Sequence, residues 1–131
     1  MSDPLLSVAG LRVEFWTDRG TIYAVNGISF EISAGETLAV VGESGCGKSV
    51  TSLALLGILP RAGRVAGGTA HFEGSNLFDL SDRELRRIRG KEIAMIFQDP
   101  MTSLNPVLTI GKQIREVLVE HFDLDRSAAN I

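Results

Sequence analysis

The sequence predicts an α/β fold in which antiparallel strands precede a strand, glycine loop and helix. Three observations carry that expectation. Two alternating apolar segments lie within the first 32 residues, a short run at Thr37–Val41 is apolar on both faces, and a glycine-rich octapeptide separates that run from an apolar helical stretch. The 131 residues amount to about one domain, and 44% hydrophobic with 22% charged residues is globular composition, which excludes a disordered or low-complexity chain. A net charge of −3 disfavours gripping a nucleic-acid backbone over the whole surface, so no nucleic-acid partner is expected. The single cysteine, Cys46, cannot close an internal disulfide. The longest apolar helical run, Leu53–Leu59, falls far short of the roughly 20 residues that cross a bilayer. The first residues lack the basic and apolar regions of a secretory signal. The expected location is therefore reducing and cytosol-facing, compatible with docking on a membrane protein.

Each element follows from local pattern. Leu6, Val8, Leu11, Val13 and Phe15 alternate around a break at Ala9-Gly10, the mark of a strand with a bulge. Thr17–Gly20 is turn-rich, and Tyr23, Val25, Ile28, Phe30 and Ile32 continue as a second strand up to a turn at Ser33–Glu36. Thr37–Val41 reads as a fully buried strand of a mostly parallel sheet. A helix is expected from about Lys48 to Leu59, stopped by Pro60. Gly63–Gly68 reads as a loop and Thr69–Glu73 as a short strand. Ser81 and Glu84 form a capping box that opens a helix to about Arg89. Glu92–Phe97 reads as a second buried strand, and Gln98–Pro106 as a polar, proline-stiffened loop. Ile110, Ile114, Val117, Leu118 and His121 share one face of a helix, and Asp125–Ile131 looks like the start of another.

The chemistry lies in Gly42-Glu43-Ser44-Gly45-Cys46-Gly47-Lys48-Ser49, which satisfies G-x-x-x-x-G-K-[ST], the phosphate-binding P-loop. Glycines let successive backbone N–H groups converge on an anion, in a concavity that side chains would obstruct. The loop delivers phosphates to a helix N-terminus, where free N–H groups and the helix dipole favour negative charge. Lys48 adds a mobile positive charge for the β and γ phosphates, and the Ser49 hydroxyl is placed as a Mg²⁺ ligand. A plain glycine-rich turn would need neither this spacing nor the Lys-Ser pair. Cys46, beside Lys48 at a helix start, is either an alkylation-sensitive thiol or a small loop filler. The basic cluster Arg83, Arg86, Arg87, Arg89 and Lys91 alternates with acidic and apolar residues and reads as a solvated helix face. His71 and His121 read as surface or packing residues.

Beyond the P-loop, the chain resembles the nucleotide-binding subunit of ABC transporters from about Leu5 to its last residue. Gly42–Ser49 matches the family's Walker A motif, and Ile93–Phe97 ending at Gln98 looks like the strand that enters its Q-loop. The string Ala94–Pro106, with Gly42–Gly45 and Lys48-Ser49-Val50, is similar to the dipeptide/oligopeptide and nickel importer branch. The resemblance implies a P-loop NTPase fold of ABC type: an antiparallel β region over about 5–36, a P-loop core with a β insert over 37–97, and the Q-loop with the start of a helical subdomain over 98–131. It implies ATP and Mg²⁺ as ligands, Gly42–Val50 as the nucleotide cradle, Lys48 and Gln98 as catalytic residues, and Ser49 and Gln98 at the metal. It also implies an aromatic stacked on adenine, a role carried to Phe15, with Trp16 next and Tyr23 as the third candidate. Inward packing in a strand is the competing role for Phe15 and Tyr23.

The implied partners are transmembrane permease subunits, a second ATP-binding subunit and, indirectly, an extracytoplasmic peptide-binding protein. The implied location is the cytoplasmic face of the cell membrane. The family's Walker B strand, signature motif and switch histidine are not found, so the chain reads as the N-terminal part of such a subunit, not hydrolytic by itself and poorly soluble alone. The competing readings are a nucleotide-binding module without turnover and a soluble ABC-type ATPase uncoupled from transport. A P-loop kinase or GTPase fits less well, because no N-K-x-D-type guanine reader is present.

Overall fold

The structure is a computed structural model and describes residues 3–122. The chain divides into two compact units, Met1–Leu85 and Arg86–Ile131. The first is built on a four-stranded antiparallel sheet of β1 (Leu6–Thr17), β2 (Gly20–Ile32), β3 (Gly63–Phe72) and β4 (Ser75–Asn76), in the order β2-β1-β3-β4. β1 and β2 form a hairpin closed by Asp18-Arg19, where the Thr17 hydroxyl donates to the Gly20 carbonyl at 2.7 Å and accepts from the Arg19 N–H at 3.3 Å. The expected break at Ala9-Gly10 is a register shift against both neighbouring strands.

The segment read as a loop, Gly63–Gly68, is instead the first half of β3, pairing Phe15 with Gly63, Glu14 with Arg64 and Val13 with Val65. Its glycines do not break the strand because they serve the bulge. A Cβ on Gly68 would lie 2.5 Å from the Gly10 carbonyl oxygen, so the two backbones cross where no side chain fits.

The core gathers Val8, Leu11, Val13, Val25, Ala70 and Leu77 with Ala54 and Leu56, all buried. Each such Val or Leu side chain contributes roughly 1.5–3 kcal/mol relative to exposure. Thr51 and Ala54 are the buried residues of α1 (Lys48–Leu55), which lies against the sheet. The expected helix end at Leu59 is thus four residues too late. Gly57 takes a φ of +63° and the chain closes in a Schellman motif, with Ile58 N–H donating to Leu53 at 3.0 Å and Gly57 N–H to Ala54 at 3.0 Å.

The expected buried strand at Thr37–Val41 is not formed. The segment joins no ladder among the described residues, and Val40 and Val41 are 59% and 88% exposed. Its apolar character on both faces marks backbone suited to two neighbours, and among the described residues neither runs beside it. The turn at Ser33–Glu36 forms as expected, its Ser33 carbonyl accepting from Glu36 N–H at 3.1 Å. After β4, Asn76 caps a 3₁₀ turn, Leu77–Asp79, that buries Leu77. α2 (Asp82–Ile88) opens with the expected reciprocal cap, as Ser81 N–H donates to the Glu84 carboxylate at 2.8 Å and Glu84 N–H to the Ser81 hydroxyl at 3.4 Å.

In the second unit, Glu92–Phe97 is likewise not a buried strand. Ile93 makes one isolated bridge to Arg89, and Ile96 is 93% exposed. The stretch read as an irregular loop contains a 3₁₀ turn, Pro100–Ser103, capped by Asp99, which accepts from Met101 N–H at 3.2 Å. α3 (Ile110–Phe122) has the predicted periodicity, but Ile110, Ile114 and Val117 stay exposed. The helix expected over Asp125–Ile131 lies outside the described residues. No helix among the described residues is long and apolar enough to cross a membrane.

Candidate functional site

The octapeptide 42–49 wraps in front of α1, and its conformation is enforced by contacts that exclude side chains. Gly47 stands at the helix N-cap with φ +96°, and a Cβ there would lie 2.5 Å from the Ala24 carbonyl oxygen and 3.2 Å from Val25 Cγ2. A Cβ on Gly42 would meet Cys46 Sγ at 2.5 Å. The backbone therefore closes over β2 on one side and over the cysteine on the other.

No side chain caps α1, and the N–H groups of Lys48, Ser49 and Val50, which precede the first bond from Thr51 N–H to the Gly47 carbonyl, have no partner within the helix. Lys48 folds back across the octapeptide, its ammonium donating to the carbonyls of Gly42 at 2.7 Å and Glu43 at 2.8 Å, with Cys46 Sγ at 3.4 Å. Thr51 pins the helix start from behind, through N–H and hydroxyl bonds to the Gly47 carbonyl at 2.9 and 3.0 Å. Helix amides without a side-chain cap and a lysine ammonium belong to one short stretch, Gly42–Val50, a combination chemically suited to anions. Glu43, Ser44, Gly45, Cys46 and Ser49 are exposed, while Lys48 and Val50 are half-buried. The Ser49 hydroxyl, exposed in the first helical turn, has the chemistry of a Mg²⁺ ligand, and the glycine backbone at 42, 45 and 47 with the Lys48 ammonium has the chemistry to take a phosphate chain.

The aromatics differ in placement. Val25 pairs with Val13 across the strands and touches Gly47, and Phe15 lies two residues beyond Val13 on the same face. Phe15 is half-buried, its ring lying over Gly63. Trp16 and Tyr23 are 54% and 64% exposed, and the Trp16 ring carries the Arg64 guanidinium at 4.8 Å. Local sequence pattern does not mark Arg64, because an arginine after a glycine looks like loop chemistry until the register sets it opposite Glu14.

Gln98 belongs to the second unit and is exposed. The stretch after it is organised by Gln113 of α3, another residue that periodicity alone did not mark. Its amide accepts from Asn105 N–H at 2.9 Å and donates to the carbonyls of Asn105 and Leu108, both at 3.1 Å. His71 is exposed on β3, and His121 sits against Gly90. Among the described residues no cluster of His, Cys, Asp and Glu forms a metal site.

The ABC transporter family model matches residues 25–130, most of the chain. The chain belongs to the ABC transporter family. This member is 52% identical over 128 residues to the dipeptide transport ATP-binding protein DppD of Bacillus subtilis, covering 97% of this chain and 38% of that protein. It is 49% identical over 128 residues to the oligopeptide transport ATP-binding protein OppD of Escherichia coli, covering 98% of this chain and 38% of that one. It thus spans a little over a third of the length of these curated relatives. Among solved structures, the ABC transporter cassette MJ0796, a dimer with bound ADP and Pi in a post-hydrolysis state, superposes with a TM-score of 0.74 at 22% identity, covering 95% of this chain and 53% of that one. Another dimeric structure of the same cassette gives 0.70 at 21% identity, covering 92% of this ABC family chain and 48% of that chain. The fold is therefore that of about half an ABC cassette.

Proposed function

We propose that this chain supplies one wall of an ATP site in a subunit that powers peptide import, peripheral on the cytoplasmic face of the cell membrane. Residues Gly42–Val50 cradle the phosphates, Lys48 neutralises the β and γ oxygens, and Phe15 carries the adenine. Ser49 would hold Mg²⁺, the ion supplying charge neutralisation on the transferring phosphoryl group, and a catalytic and metal-facing role is proposed for Gln98. Gln98 is assigned by the resemblance of the string Ala94–Pro106, which also supports a permease-facing loop there. A second ATP-binding subunit as partner is in keeping with the dimeric state of the MJ0796 structures. The peptide cargo follows the names of relatives near 50% identity. The divisions at 36/37 and 97/98 belong to the same proposal.

One observation carries the reading: the Lys48 ammonium closing a loop whose helix amides have no side-chain cap. Replacing Lys48 with Ala removes both the closure and the charge that meets the phosphates. The expected result is a loss of ATP affinity of at least about tenfold, since hydrogen bonds to charged groups are worth roughly 1.5–3 kcal/mol. Equilibrium ATP binding with and without Mg²⁺, comparing the parent and Lys48→Ala proteins, measures this. Equal affinities would refute the assignment.

A further inference from the structure

Two consecutive residues of β3 hold three consecutive residues of β1 from opposite faces of the sheet. Gly63 pairs with Phe15, and the ring fills the space above it, since a Cβ on Gly63 would come within 2.6 Å of Phe15 Cε1. On the other face Arg64 engages both residues that flank Phe15. Its Nε donates to Glu14 Oε1 at 2.5 Å, and its guanidinium lies 4.8 Å from the centre of the Trp16 ring. Glu14 is 7% exposed, and Arg64 is its partner in an ion pair. The Trp16 N–H donates to the Ala62 carbonyl at 2.9 Å, which ties the same stretch from the backbone. With Glu14 and Trp16 held by one guanidinium, the β1 backbone between them has little freedom to roll, and the direction of the Phe15 side chain follows from that backbone.

We infer that Arg64 is a positioning residue for base recognition: from the far face of the sheet it sets the tilt at which Phe15 meets a purine, without touching the nucleotide. The inference rests on the proposed role of Phe15. Stacking energy depends on a ring presented at a fixed angle and offset, whereas the phosphate cradle is built on a different segment and held by Gly47, Lys48 and Thr51. Loss of Arg64 should therefore weaken the base contribution alone.

The test uses the full-length subunit and two probes, Mg-ATP and magnesium tripolyphosphate, which has no base. Arg64→Met is made together with Glu14→Gln, so that no buried carboxylate is left without its cation. The expected result is an ATP affinity about three- to tenfold weaker, within the range that base–aromatic stacking can supply, with tripolyphosphate affinity unchanged. Arg64→Lys, which retains a cation beside Glu14 and Trp16, should recover part of the loss. An unchanged ATP affinity in the double variant, or an equal loss for both probes, overturns the inference. Phe15→Ala serves as the separate arm. If it leaves ATP affinity intact, the platform role of Phe15 falls and the inference falls with it. If Phe15→Ala weakens ATP and the Arg64 variant does not, only the role of Arg64 is refuted.

Discussion

The proposed phosphate cradle is decided atom by atom, and Gly47 shows how little latitude its backbone has. Its positive φ and its approach to the Ala24 carbonyl each exclude a side chain independently. Gly47→Ala should therefore destabilise the full-length subunit by about 1–3 kcal/mol, seen as a lower denaturation midpoint, and should weaken ATP binding in parallel. An unshifted midpoint would mean that the loop has another backbone arrangement. The backbone of this loop is legible in the sequence because a glycine requirement is written in the residue type itself. Arg64 and Gln113 were not legible for the opposite reason. Their partners, Glu14 and Asn105, are brought to them by strand register and by a helix face, which no local spacing encodes.

At the level of single elements, local signals succeeded where the element supplies its own hydrogen bonds. The Ser81–Glu84 cap, the Thr17–Gly20 hairpin turn and the helical period of Ile110–Phe122 all depend on neighbours within a few residues. At Gly63–Gly68 glycine-rich composition suggests a loop, whereas the glycines serve where two strands cross closely. The stretch Asn105–Leu108 is held to α3 by the side chain of Gln113 through three hydrogen bonds. Gln113→Leu removes all three at about 1 kcal/mol each, so the Asn105 amide should exchange with solvent more than about tenfold faster. Amide hydrogen exchange of the full-length protein reads this directly, and unchanged protection at Asn105 would show that the turn stands without the clamp.

Across the whole chain, the misread strands teach something different. Thr37–Val41 and Glu92–Phe97 carry the composition of interior strands, yet both lie outside the sheet, with Val41 and Ile96 largely in solvent. Composition reports what a segment is suited to pack against, and packing itself depends on which other segments are present. Apolar backbone of this kind is prone to self-association. The 131-residue chain purified alone should therefore scatter light increasingly with concentration, and the pair Val41→Lys with Ile96→Lys should reduce that scattering. A monodisperse parent chain would contradict this. Trp16 is the only tryptophan in these 131 residues, and it sits half in water beneath a guanidinium on the residue next to Phe15. The chain thus contains its own optical gauge: indole emission in this sheet comes from one ring whose colour and brightness depend on whether Arg64 stays in place.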